Sequence, residues 1–177
     1  MKSKLIAVSA ISSAICAIVL TIGTLVNFVD LFCLVISSVF VMIPLYYKSY
    51  KASFLSFLAS GILAFIFTGF NITLVVVPAF LLFFGSFPLV KEIVKEKKVN
   101  KILFYILGMI WCVGAVYGIY FYYVEIMGIT FNDLPRIIQE NIYIFIGVLG
   151  VIFYNVYDRY VLTLGNFLDR YLRRILK

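Results

Sequence analysis

The sequence predicts an all-α integral membrane protein with six transmembrane helices, both termini cytoplasmic and an amphipathic C-terminal helix. Three observations carry that expectation. Hydrophobic residues make up 64% of the 177 and charged residues only 13%, against roughly half and a quarter in soluble domains. The apolar residues fall into six runs near the length that crosses a bilayer, with no stretch left over for a soluble domain. The cationic residues are sorted by side: of 15 Lys and Arg, all but Arg136 fall on one side of a six-span alternation, which sets both termini inside.

The elements follow in order. A first helix is expected over 5–27, a second over 31–47 after a short turn carrying Asp30, and a third over 52–68 after Lys48 and Lys51. Helices two and three are barely long enough to span, so a re-entrant pair is the competing reading. A fourth helix is expected over 73–90 after the turn Gly69-Phe70-Asn71, and a fifth over 101–127 after the charged stretch Lys91–Lys98. A polar loop from Gly128 to Arg136 leads to a sixth helix over 137–157. The tail 158–177 sets Leu162, Leu164, Leu168 and Leu172 among Arg170, Arg173, Arg174 and Lys177. Such a basic amphipathic segment suits an anionic headgroup layer, or extends the sixth helix as its anchor. The whole chain, 1–177, reads as one transmembrane domain.

Several classes are excluded on composition. A net charge of +7 distributed as short clusters between apolar runs orients a membrane protein and leaves no solvent face for nucleic acid. The chain has no histidine, and Cys16, Cys33 and Cys112 stand far apart inside apolar runs. A Cys/His metal site or nucleophile pair is therefore not available, and the cysteines read as small packing residues. No HExxH, GxSxG or phosphate loop is present, so neither an enzyme nor a cofactor is expected. The N-terminal apolar run exceeds a signal-peptide core, and bulky Ile15 before Cys16 spoils a lipoprotein box. A retained first helix is expected.

The candidate functional residues form three groups. Ala10 and Ala14 sit one helical turn apart and allow close approach by another helix backbone. Gly114 and Gly118 repeat that spacing in the fifth helix, where internal packing is the favoured reading. Toward the outer face, Asp30, Asn71, Trp111, Tyr120, Tyr123 and Arg136 combine aromatic surfaces with a few polar groups, as a small-molecule pocket requires. Aromatic residues also collect at membrane interfaces for solvation alone. On the inner side, Gly85, Pro88, Lys91, Asn155 and Asp158 form a third candidate cluster. There Pro88 removes a backbone donor one turn after Phe84, and Asp158 is within reach of Lys91 or Arg159 in an interfacial setting.

The order of features resembles the substrate-binding S components of energy-coupling factor (ECF) vitamin transporters. The resemblance rests on Ala10-Ile-Ser-Ser-Ala14, Val29-Asp30-Leu31 and the small-residue run Lys51-Ala-Ser-Phe-Leu-Ser-Phe-Leu-Ala-Ser-Gly61, and covers residues 4–69. It implies a bacterial cell-membrane subunit that captures a vitamin-like small molecule at its outward face. By the same resemblance, Ala10 and Ala14 dock on a transmembrane coupling subunit, and separate ATPase subunits drive toppling in the bilayer. The alternative from the residues alone is a small membrane assembly or regulatory protein with no transported ligand.

Overall fold

The computed structural model describes residues 2–26, 28–47, 49–70, 75–97, 100–126, 128 and 140–175, and it is helical throughout, with no strand among them. Helix α1 runs Lys2–Leu25, about 36 Å at 1.5 Å per residue, enough to cross a hydrocarbon core. Phe28 takes a left-handed φ of 83° in the turn that follows. Helix α2 spans Asp30–Met42, and the Asp30 carboxylate accepts the Leu31 N–H at 2.9 Å. A negative group in a first turn faces the positive end of the helix dipole. Its last turn tightens into a 3-10 segment, Ile43–Tyr47, around Pro44, whose missing N–H cannot continue an α-helix.

Helix α3, Tyr50–Phe67, is capped by Ser49, whose hydroxyl accepts from the Ala52 N–H. It ends where Gly69 adopts φ 65°, with Phe70 N–H bonded to Phe65 O at 2.8 Å and Gly69 N–H to Ile66 O at 3.1 Å. That pair of bonds satisfies carbonyls the helix end would otherwise leave open. Helix α4, Val76–Glu96, contains a π-helical turn at Phe80–Phe84, closed by Gly85 N–H to Phe80 O at 2.8 Å. Helix α5 begins at Lys101, capped by Asn100, and continues through a second π turn, Tyr122–Ile126. Helix α6 runs without a break from Ile142 to Ile175, 34 residues and about 51 Å.

Five helices are long and apolar enough to cross a membrane among the described residues: Ser3–Leu25, Tyr50–Phe67, Val76–Glu96, Lys101–Glu125 and Ile142–Leu168. The stretch Asp30–Leu45 is a shorter apolar helix. Of the two forms expected for the tail, the structure has the extension of the sixth helix, because nothing at 157–160 interrupts α6. No proline follows Pro135, and Asp158 and Arg159 are residues a helix interior tolerates.

Contacts divide the chain into two compact units, one comprising 1–98 with 160–177 and the other 99–159. In the first, α1 packs on both α2 and α3. Its inner face carries Ser13, Cys16, Ala17, Leu20 and Gly23, all buried. Gly23 is required for the approach to α2, since a Cβ there would lie 2.7 Å from Cys33 Cβ. Helix α3 meets α4 at two further glycines. A Cβ at Gly61 would strike Leu81 at 2.6 Å, and one at Gly85 would strike the Phe57 ring at 2.6 Å and Phe80 at 2.7 Å. The Phe57 and Phe80 rings sit 5.6 Å apart.

In the second unit α5 and α6 pair antiparallel. The Tyr105 hydroxyl donates to Asn155 Oδ1, Cys112 Sγ approaches Gly150 O at 3.8 Å, and the Tyr117 hydroxyl donates to Tyr143 O at 2.6 Å. Gly147 and Gly150 form the close-contact face, facing Tyr117 and Val113. Gly114 and Gly118, expected to pack internally, meet nothing within 4 Å. The small-residue seam of this hairpin is on α6, because the bulky Tyr117 and Val113 project from α5 and need the room opposite.

Candidate functional site

The first unit has the inverted polarity of a chain dissolved in lipid. Ile6, Ile11, Ile15, Ile18 and Ile22 of α1 point outward, while Ser12, Ser13, Ser37, Ser38, Ser53, Ser56 and Ser60 are buried. Water would select the opposite arrangement.

The serines are organised along the junction of α1, α2 and α3. Ser9, Ser13 and Cys16 recur at helical spacing on α1, and Ser53, Ser56 and Ser60 match them on α3. The two hydroxyls of Ser13 and Ser56 lie 2.8 Å apart. Ser9 O takes a second donor at each side: Ser13 Oγ at 2.7 Å and Ser56 Oγ at 3.3 Å. One turn further, Cys16 Sγ approaches Ser37 O on α2 at 3.5 Å, and Ser60 Oγ bonds back to Ser56 O at 2.7 Å. Small side chains bring the helices close, and the hydroxyls then bond across the gap. Sequence reading singled out Ala10 and Ala14 and passed over this seam. Its signal was present in Ser53-x-x-Ser56-x-x-x-Ser60 beside Ser9-x-x-x-Ser13-x-x-Cys16.

Ala7, Ala10 and Ala14 lie on a separate side of α1, about 100° round from the serines, and are exposed. The helix thus has two small-residue faces: a serine face buried against α2 and α3, and an alanine face left open.

Of the residues expected to line an outward pocket, Asn71 and Arg136 lie outside the described residues. Asp30 belongs to the first unit and is exposed. Trp111, Tyr120 and Tyr123 belong to the second and are half-buried. Within that unit Tyr120 stacks edge-on against Tyr143 at 5.9 Å, and Tyr123 meets Tyr122 at 6.4 Å. Of the inner cluster, Gly85 and Pro88 are buried in α4, and Lys91 reaches over the Phe87 ring at 5.7 Å. Asn155 is engaged by Tyr105 and donates to Val151 O at 2.8 Å, and Asp158 stands one turn beyond it on α6. Neither Gly85 nor Pro88 offers a functional group: Gly85 admits the Phe57 ring and Pro88 follows the π turn.

Five apolar helices of spanning length among the described residues, with isoleucines outside and hydroxyls inside, point to a helical membrane protein. Comparison with protein-family models, curated proteins and solved structures gives no match.

Proposed function

We propose that the chain is a membrane-embedded subunit that captures a vitamin-like small molecule and works by docking α1 against a partner, as the S components of ECF transporters do. In this reading Asp30–Leu45 is a sixth, short crossing, both termini are cytoplasmic, and the protein resides in the cell membrane. The chain hydrolyses nothing itself, and partner ATPase subunits supply the energy. The observation that carries the reading is the exposed alanine face of α1, Ala7, Ala10 and Ala14. Lipid is met equally well by Ile or Leu, whereas Ala at helical spacing admits another helix to close range.

The test is native mass spectrometry on protein extracted gently from its own host's membranes, with Ala10→Trp and Ala14→Trp beside the unaltered chain. A retained small molecule together with co-purifying ATPase subunits supports the proposal, provided the Trp variants lose the subunits and keep the molecule. A second reading, a small assembly or regulatory protein without a ligand, is favoured by the engagement of Tyr120 with Tyr143, which occupies an aromatic surface a pocket would use. Recovery of an unrelated membrane partner and no small molecule would select it.

A further inference from the structure

The seam of α1, α2 and α3 holds more hydroxyls than its own hydrogen bonds use. Ser53 and Ser37 are fully buried, each at 0% exposure; the Ser53 hydroxyl reaches no partner within the protein, and that of Ser37 has only the Cys16 thiol beside it. The hydroxyl of Ser9 is in the same condition as that of Ser53. Ser53 precedes Ser56 by one turn on the buried face of α3, the face that meets Ser9 and Ser13 of α1. The Ser37 carbonyl takes the Cys16 thiol, so Ser37 lies where α2 meets α1, and Ser60 also stands beside Cys16. The two buried serines therefore bracket the Ser13–Ser56 pair, one turn to either side.

An unpaired hydroxyl in apolar surroundings costs about 1–3 kcal/mol, and lipid tails have no group to relieve it. Alanine would serve the same close packing without that cost. We infer that the seam is a hydration site, binding water at two places. One lies between the hydroxyls of Ser9 and Ser53. The other lies at Ser37, with Cys16 and Ser60 as neighbours. Each offers the two or more polar partners that a buried water needs.

Hydration is tested by thiol accessibility in native membrane vesicles. Ser53→Cys is built in a chain carrying Cys16→Ala, Cys33→Ala and Cys112→Ala, and treated with methanethiosulfonate ethylammonium, which reacts with hydrated thiolates. Leu55→Cys, whose parent side chain is 64% exposed on the outer side of α3, is the lipid-facing control. Ser53→Cys is expected to react at least about tenfold faster than the control, because the thiolate forms only in water. Equal or slower reaction overturns the inference. Water-to-amide magnetisation transfer by NMR on the unaltered chain in nanodiscs reads both places without mutation. Transfer to the Ser37 and Ser53 amides, and none to that of Ile62, is expected, and its absence at both serines equally overturns it.

Discussion

The hydroxyl oxygens of Ser13 and Ser56 lie 2.8 Å apart across the α1–α3 junction, 43 residues apart in the chain. Ser56 also reaches Ser9 O on α1, so one side chain ties two positions of a neighbouring helix. Ser56→Ala is expected to lower stability by about 0.6–1.7 kcal/mol, the range of interhelical hydrogen bonds in lipid. Thermal unfolding in detergent measures it, and Ser13→Ala with the double variant isolates the coupling.

Glycines divide into two classes with opposite expected signs. Gly85→Ala forces a Cβ to 2.6 Å from the Phe57 ring, and overpacking of this kind costs about 1–3 kcal/mol. Gly114→Ala and Gly118→Ala add a methyl to open space and are expected to leave stability unchanged or raise it by up to about 1 kcal/mol. Melting temperatures of the three variants decide the matter by sign alone.

The hairpin of the second unit is fastened at both ends by tyrosine hydroxyls. Tyr105→Phe removes the donor to Asn155 and Tyr117→Phe the donor to Tyr143 O, each while preserving the ring. Each is expected to cost about 0.6–1.7 kcal/mol, and the two should add because they share no partner. A double variant measured beside the singles checks additivity.

Ala10→Trp and Ala14→Trp place bulk on the open face of α1. Their thermal stability is expected to stay within about 0.5 kcal/mol of the parent, as for substitutions away from packed features. A loss above 2 kcal/mol in both would show that the face is packed within the chain and would remove the basis for docking.

Helix α6 should exchange its amides as one element. Protection is expected to run continuously through Tyr157, Asp158, Arg159 and Tyr160 in hydrogen–deuterium exchange, since their helical bonds are unbroken. A fast-exchanging step at 157–160 would restore a separate tail.

Helix positions were the part most readily read from sequence. Asp30 at the head of α2, Ser49 before α3 and Asn100 before α5 are local signals, written within a few residues of the turn they make. The site was harder, because it depends on which faces meet. Ala10–Ala14 and Ser9–Ser13 are offset by one residue on the same helix, and spacing alone does not say which pair turns inward. Nor does it distinguish Gly114–Gly118 from Gly147–Gly150 until the partner helix shows where its bulk lies. The tail past Tyr157 was open between an interfacial segment and an extension of the sixth helix, and it takes the second form, since Asp158 and Arg159 do not break a helix that lacks Pro.

The π turn at Phe80–Phe84 has a bearing on chain length. A five-residue turn holds one residue more than an α-helix would over the same arc, so everything from Ser86 onward is rotated by about 100° relative to an unbroken helix. Helix α4 is therefore a place where a single-residue deletion is absorbed rather than passed on as a rotation. Removing Leu82 would turn the segment into α-helix over the same arc and leave Phe87, Pro88 and Leu89, all buried, on the packed face. The same deletion in the unbroken stretch of α6 between Ile142 and Gly147 would instead shift the hairpin by one residue. Only the first is absorbed locally, which makes this turn the point where kindred chains of unequal length would be expected to differ.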